Sequence, residues 1–279
     1  MKQFFAIIEE TFREAKNKWT LAGFFIFSTI LIVIAFFVFQ SQEVKEAMQR
    51  FETTSFGNQD MTRAIISVSV LNIFYTILSN ILYVVIICVG IFATSGLINS
   101  QLEKGTIDLL LSKPVPRWKY ILGRYTGSVL IIFLETFWFI LGIWIVASSS
   151  IGIWNPSFLL CTVFITLGFA GIYSIVVCIS IVSRSSALSI IVGIGLFFIN
   201  YLISIGHSIE TMVSTNSKSW LSTIANILYY IFPSSSDMGS NMTHLLTNQP
   251  LLVLPIFLTI GLSIVYLTLG MWAFAKKEF

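Results

Sequence analysis

The stretch "QLEKGTIDLLLSKPVPRWKYILGR" at residues 101–124 concentrates charges, a glycine, two prolines and a leucine triplet between two long apolar runs. The whole chain is 56% hydrophobic and 10% charged, with a mean hydropathy of +0.88. Soluble domains carry about 25% charged residues, so this composition excludes a soluble globular protein and predicts a membrane protein. The polar stretch is then a short connection between two membrane spans.

The apolar runs on both sides of this stretch, and further along the chain, are long enough to cross a membrane as helices. A hydrocarbon core about 30 Å thick needs roughly 20 apolar residues per helix, whereas β-barrel strands would give alternating segments of about ten. The sequence therefore predicts an all-α integral membrane protein with six transmembrane helices. The predicted spans are residues 21–39, 71–98, 120–147, 158–182, 187–205 and 251–275.

The basic residues predict how these spans are oriented, because cytoplasmic loops carry an excess of Lys and Arg. Six spans place both termini on one side, and most of the 16 basic residues fall on that side together with the 101–124 stretch. The other side holds only Lys45, Arg50, Arg63 and Lys218. We therefore expect a multi-pass protein of the bacterial or archaeal cell membrane with cytoplasmic termini. The net charge of +3 reflects this topology and does not indicate nucleic-acid binding.

Two connections on the predicted outer side, residues 40–70 and 206–250, are long but too short to form a domain with a core of its own. The second contains "FPSSSDMGSNMT", which is typical of a polar turn. We therefore expect a single transmembrane domain over residues 1–279, with two outer loops.

The N-terminal residues 1–19 show an apolar stripe at helical spacing, formed by Phe5, Ile8, Phe12, Ala15 and Trp19. Basic amphipathic helices that precede a span commonly lie in the membrane interface. The stripe predicts such an interfacial helix; the alternative is a simple continuation of the first span into water.

Motifs of membrane enzymes are missing from the sequence. The histidines are His207 and His244, without HExxH spacing, and the chain has neither a GxSxG elbow nor the G-x-x-x-x-G-K-[ST] phosphate cradle of ATP-binding proteins. Cys88, Cys161 and Cys178 lie inside predicted spans without CxxC spacing, as expected of small buried side chains. No metal site is expected.

A partial match to an intramembrane protease family involves Glu9, Glu10 and Arg13 with His244 and Asn248. The predicted topology places the glutamates and His244 on opposite sides of the bilayer. Protease activity is therefore only a remote alternative.

Glu135 is the acidic residue well inside a predicted span, in "IIFLETFWFILG". A carboxylate at mid-membrane costs about 3 kcal/mol on insertion scales and marks a functional hypothesis by default. It could serve a proton relay or a polar hinge, or it could be a protonated or paired residue that holds helices together. Asn72 and Asn80 make the outer part of the second span polar and should face protein or a water-filled path.

Ser185, Ser189 and Gly193 recur every four residues at the start of the fifth span. Small residues at that spacing let two helices approach closely in lipid. They predict a packing seam, within the chain or in a dimer; the alternative is a loose run of small residues.

The physical features of the opening stretch predict a short cytoplasmic helix. Gly105 suits a sharp turn, Thr106 is a good N-cap and Asp108 favours the positive helix end in the first turn. Pro114 and Pro116 stop the helix because proline lacks the amide donor.

The apolar ridge of this predicted helix consists of Ile107, Leu110 and Leu111, which fall on one face. A helix of about two turns is not stable alone, so it needs a groove to bind in. Arg117 begins the anchoring segment that re-enters the membrane.

The stretch resembles the loop between the second and third spans of type-2 ABC transporter permeases, whose pattern is roughly E-x-G-T-[IL]-[DE]-x-L-L-[AS]-x-P-[VI]-x-R. The six spans, the N-terminal helix and the charged C-terminal "FAKKEF" are also similar to that family, so the resemblance covers the whole chain. The branch that includes the permease of nitrous-oxide-reductase maturation is the most similar in character. The matching residues are Glu103, Gly105, Thr106, Ile107, Asp108, Leu110, Leu111, Ser112, Pro114, Val115 and Arg117.

The resemblance implies a non-catalytic permease subunit of an ATP-driven exporter. Its coupling helix, residues 101–117, would bind a separate ABC ATPase subunit that carries ATP and Mg. A second permease, in a homodimer or a close heterodimer, would complete the pathway. An extracytoplasmic accessory protein is a further implied partner. The alternative from another class is a stand-alone proton-coupled transporter or channel that uses Glu135.

Overall fold

The computed structural model describes residues 2–17, 19–41, 60–99, 116–151, 154–183, 185–213, 227 and 229–276. These residues are almost entirely helical and contain no β-strand. The helices are α1 (Lys2–Asn17), α2 (Trp19–Gln40), α3 (Asp60–Asn99), α4 (Arg117–Ile151), α5 (Ser157–Ser183), α6 (Ser186–Val213), α7 (Ser235–Leu246) and α8 (Val253–Lys276).

Six helices within the described residues are long and apolar enough to cross a membrane, which confirms the predicted all-α fold class. Their extents differ from the predicted spans mainly in the second and third, which belong to helices of 40 and 35 residues. The apolar segments are Ala22–Gln40, Asn72–Leu97, Trp118–Ser150, Ser157–Ser183, Ser186–Ile203 and Val253–Lys276.

Helix α5 lies at the centre of the bundle and packs against α3, α4, α6, α7 and α8. Its sequence is apolar on every face, and most of its side chains are buried, as expected of a helix enclosed by others. Aromatic rings occupy the surrounding space: Tyr75 stacks on Phe158 with ring centroids 4.2 Å apart, and Phe169 stacks on Tyr173 at 5.1 Å.

Helices α1 and α2 run alongside α4 in the same direction. A methyl group added at Gly123 would lie 2.7 Å from Ile7 Cγ2, and one added at Gly127 would lie 2.9 Å from Thr11 Cβ. Ala15, one α1 turn further on, shares a buried cluster with Ile131. The equal steps of four residues on both helices show a parallel packing in register.

The buried face of α1 is not the predicted stripe. Ile7, Thr11 and Ala15 are buried, whereas Phe5 is 65% exposed. These residues are buried because glycines on α4 leave a shallow groove on its surface. The small and β-branched side chains of α1 fill that groove. Of the predicted stripe, Ala15 is buried on this face and Phe12 packs, partly buried, against the same cluster.

The stretch predicted as a polar turn forms most of helix α7, which corrects that expectation. Ser235, Ser236, Asp237 and Asn241 are all buried because α7 packs between α3, α5 and α6. A polar segment can be enclosed in this way when neighbouring helices supply its hydrogen-bond partners.

Candidate functional site

Most of the predicted coupling helix lies outside the described residues. Helix α3 ends at Asn99 and α4 begins at Arg117, and the adjoining parts of both helices contact α1. The coupling segment therefore connects α3 to α4 at the end of the bundle where α1 lies, which we call the α1 end. The residues outside the description are Glu103, Gly105, Thr106, Ile107, Asp108, Leu110, Leu111 and Pro114.

At the α1 end a buried arginine joins α4 to α1. Arg124 is 2% exposed; its Nη1 donates to Glu14 Oε2 at 2.5 Å, and its Nη2 lies 3.3 Å from Glu10 Oε1. Its Nε donates to the Tyr120 hydroxyl at 3.1 Å, and the guanidinium lies over the Tyr120 ring. An arginine removed from water in this way requires such partners, so this cluster holds α1 against the base of α4.

A second polar network lies at the α1 end of the bundle, between helices α3, α4 and α5. The Tyr173 hydroxyl on α5 is 3.0 Å from Ser128 Oγ on α4 and 3.4 Å from the Thr94 carbonyl oxygen on α3. Tyr125 on α4 donates to the Ala170 carbonyl of α5 at 2.9 Å. These bonds connect α3, α4 and α5 at the α1 end of the bundle.

Glu135 lines a cavity of about 300 Å³ between α1, α2 and α4, together with Lys16 and Ala22. Ala22 is the first residue of the first apolar segment, which at about 1.5 Å per residue spans nearly the whole hydrocarbon core. Glu135 therefore lies level with the start of the α2 apolar segment and near the middle of the α4 apolar segment, Trp118–Ser150.

The surroundings of Glu135 are mostly apolar. Its Oε2 is buried without a hydrogen-bond partner among the described residues. Lys16 is the other ionisable residue in the cavity lining, and no ion pair joins the two.

Asn72 and Asn80 lie in the part of α3 that is remote from α1, and both face protein. The Asn72 Oδ1 accepts a bond of 3.0 Å from Asn155, whose carbonyl accepts the Trp144 indole N–H at 2.8 Å. The Asn80 Nδ2 donates to Thr243 Oγ1 of α7 at 3.2 Å. Both therefore join helices within this chain.

Ser185, Ser189 and Gly193 line the contact of α6 with α5 in the same chain. Ser189 is fully buried, accepts a bond of 2.8 Å from Ser180 and donates to the Ser185 carbonyl at 2.8 Å. A methyl group added at Gly193 would lie 2.5 Å from Val176 Cγ2. The small residues spaced four apart on α6 therefore allow close packing against α5 of the same chain.

Helix α7 begins in a buried polar site. The Ser236 N–H donates to Asn200 Oδ1 at 3.3 Å, while the Asn200 Nδ2 donates to the Pro233 carbonyl at 3.1 Å. Tyr83 donates to the Ser235 carbonyl. Asn200 thus acts as an N-cap supplied by another helix, since Ser234 makes no side-chain cap bond.

Tyr229 precedes α7 and donates a hydrogen bond to the Asp237 carboxylate. Burial, followed by this bond and the charge of Asp237, raises the pKa of Tyr229 above its ordinary range. The phenol therefore remains a protonated donor over the physiological pH range.

The described geometry contradicts the protease alternative. Glu9 pairs with Arg13 at 3.1 Å and Glu10 pairs with Arg124, both at the α1 end. His244 lies on α7, where its Nδ1 is 2.7 Å from the Pro250 carbonyl oxygen. Helix α7 contacts α3 at Asn80, whereas α1 contacts α3 at Leu97. These two positions are about 25 Å apart along α3 at the usual helical rise.

Sequence reasoning missed the Arg124 cluster and the polar environment of α7. Arg124 carried a signal, because it follows the first apolar residues of α4, where a charge is expected to have a partner. Asn200 likewise lies within a predicted span. The position of Arg124 or Asn200 in the sequence does not indicate which residue on another helix binds it.

Comparison with known proteins identifies the family of the chain. The family described as ABC-2 family transporter protein matches residues 7–279. No curated protein matches the chain. Since the match covers nearly the whole sequence and all six apolar helices, the chain belongs to the ABC-2 transporter family, whose members are transmembrane transport components that work with an ABC ATPase subunit.

Proposed function

We propose that this protein is the permease subunit of an ATP-driven exporter, with both termini in the cytoplasm of a bacterial or archaeal cell. The observation that carries the proposal is the motif at residues 103–117 within a chain that matches the ABC-2 family over residues 7–279. In this proposal ATP and Mg are bound by the ATPase subunit, and the permease supplies the pathway and no bond chemistry.

The coupling helix, residues 101–117, is proposed to bind the ATPase through Ile107, Leu110 and Leu111. Support comes from the α1 end of the bundle, where Arg124 follows the motif directly and ties α4 to α1. A force on the coupling helix would reach α4 at its first residues. Because the α4 base is bonded to α1, both helices would move as one body.

We further propose that two permease copies form the pathway, and that an extracytoplasmic accessory protein can join them. The resemblance of the motif supports placing the chain near the branch that includes the nitrous-oxide-reductase maturation permease. Asn72 and Asn80 are proposed as structural polar residues of each copy, because their described partners lie within one chain.

The test is purification of the tagged chain from its native membranes, with measurement of the ATPase activity that accompanies it. Leu110→Asp and Leu111→Asp should abolish that activity because a carboxylate cannot enter an apolar socket. Leu109→Asp is the matched control: Leu109 occupies a free position of the motif and should tolerate the change.

Two results would contradict the proposal. One is full ATPase association by the Leu110→Asp and Leu111→Asp variants. The other is transport by the purified chain alone, driven by a pH gradient and lost in Glu135→Gln, which would support the stand-alone transporter.

A further inference from the structure

The cavity between α1, α2 and α4 combines apolar walls with two opposite charges. Its volume of about 300 Å³ is at the lower end of the range of ligand pockets, which is roughly 300 to 1,000 Å³. Glu135 comes from α4, and Lys16, which is exposed, comes from the last turn of α1. The apolar lining consists of Phe12, Ala15, Ala22, Phe25, Ile131 and Leu134.

On the α2 side, the cavity lies where the apolar segment begins: Lys16 precedes this segment and Ala22 is its first residue. For a helix whose apolar length matches the hydrocarbon core, this is the depth at which headgroups meet acyl chains. Beside it, Phe25 and Leu134 are 43% and 50% exposed. They form an apolar surface next to the cavity, along which acyl chains can lie.

The two charged groups lack partners within the described residues. Glu135 Oε2 is buried and accepts no hydrogen bond, although a carboxylate accepts several and is costly to bury without a donor. Lys16 makes no ion pair there, although an ammonium group has three N–H donors. The cavity therefore presents an acceptor inside and a cation at its edge.

We propose that this cavity binds phosphatidylethanolamine from the adjacent leaflet. The lipid ammonium donates hydrogen bonds to Glu135, the phosphate faces Lys16, and the acyl chains follow the exposed apolar side chains of α2 and α4. Choline lipids lack N–H donors, and phosphatidylglycerol offers Glu135 no cation. The inference does not depend on the ATPase or on dimerisation.

The proposal is tested by native mass spectrometry of the purified full chain in mixed micelles that contain equal amounts of two lipids. The wild-type protein should retain phosphatidylethanolamine about tenfold over phosphatidylcholine, as expected for charge-assisted hydrogen bonds. The N-methyl and N,N-dimethyl derivatives should fall between them in order, because each methyl group removes a donor. Equal retention along this series overturns the proposal without any variant.

Variants assign the preference to the cavity. Glu135→Gln should abolish the preference for ethanolamine over choline lipids, whereas Glu9→Gln, on the exposed side of α1, should keep it. Lys16→Gln should weaken retention of all phospholipids about equally, and Lys276→Gln is its matched control at the chain's other end. Preference that persists in Glu135→Gln overturns the proposal.

Discussion

At the scale of single residues, Arg124 is the side chain on which the α1 end depends most. Its guanidinium is almost fully buried, and its partners differ in exposure: the Glu14 side chain is 19% exposed and Glu10 is 54% exposed. A buried ion pair loses about 3 to 5 kcal/mol when one partner is removed, while an exposed pair contributes about 0 to 1 kcal/mol. Substitutions of Arg124, Glu14 and Glu10 should therefore lower the free energy of unfolding by unequal amounts.

We expect Arg124→Gln to lower the free energy of unfolding in micelles by about 3 kcal/mol. Glu14→Gln should cost less, and Glu10→Gln should cost under about 1 kcal/mol because its carboxylate remains hydrated. Denaturant unfolding followed by tryptophan fluorescence measures all three. A double variant of Arg124 and Glu14 whose effects simply add would contradict direct coupling between them.

A second prediction at this scale concerns Asn200, which caps α7 from another helix. Asn200→Leu leaves the Ser236 N–H and the Ser236 hydroxyl without their acceptor, whereas the Pro233 carbonyl keeps the Ser235 N–H. Each buried unsatisfied group costs about 1 to 3 kcal/mol, so the variant should unfold at clearly lower denaturant concentration.

Ser236→Ala is the matched control for Asn200, because it removes one hydroxyl donor to Asn200 and leaves both backbone groups paired. It should cost about 1 kcal/mol. Equal stability of Asn200→Leu and the wild-type protein would show that water or another donor replaces the cap.

At the scale of elements, the docking of α1 on α4 depends on two glycines. Gly123 and Gly127 lie one turn apart and face Ile7 and Thr11. Their lack of side chains lets the helix backbones approach closely, as in other membrane helix pairs. Helix propensity alone would favour alanine over glycine by about 1 kcal/mol at such positions, so packing explains their presence.

We expect Gly123→Ala to lower the thermal unfolding midpoint, because the new methyl group would lie 2.7 Å from a branched, buried side chain. Gly195→Ala, where no atom lies within 4 Å, should leave the midpoint unchanged or raise it. Adding Ile7→Ala to Gly123→Ala should recover part of the loss. Matching behaviour of the two alanine variants would argue against this packing.

At the scale of the whole molecule, six spans and a parallel α1–α4 pair determine which ends lie together. The final turns of α5 and α8 approach each other, since a methyl group added at Gly270 would lie 3.4 Å from Cys178 Cα. Tyr173, which precedes Cys178 on α5, is bonded to Ser128 of α4 at the α1 end of the bundle. The C-terminal part of α8, which contacts Cys178, therefore lies at the α1 end too. The turn after α7, at Thr247, belongs to the opposite side.

Cysteine labelling tests this topology together with the proposed orientation. In a background without Cys88, Cys161 and Cys178, a membrane-impermeant maleimide added to intact cells should label Thr247→Cys and spare Lys276→Cys. Inside-out vesicles should show the reverse. Labelling of both positions from one side would contradict a membrane crossing by α8, which separates them.

The sequence by itself determined the fold class, because runs of about 20 apolar residues leave little alternative to transmembrane helices, and it also carried the motif by which the family was suspected. Only the tertiary structure decided where polar residues find partners. From its sequence, helix α7 is predicted as a turn, because the local pattern contains no information on neighbouring helices. Burial depends on which helices lie side by side, and the neighbours that bury the polar residues of α7 are α3, α5 and α6.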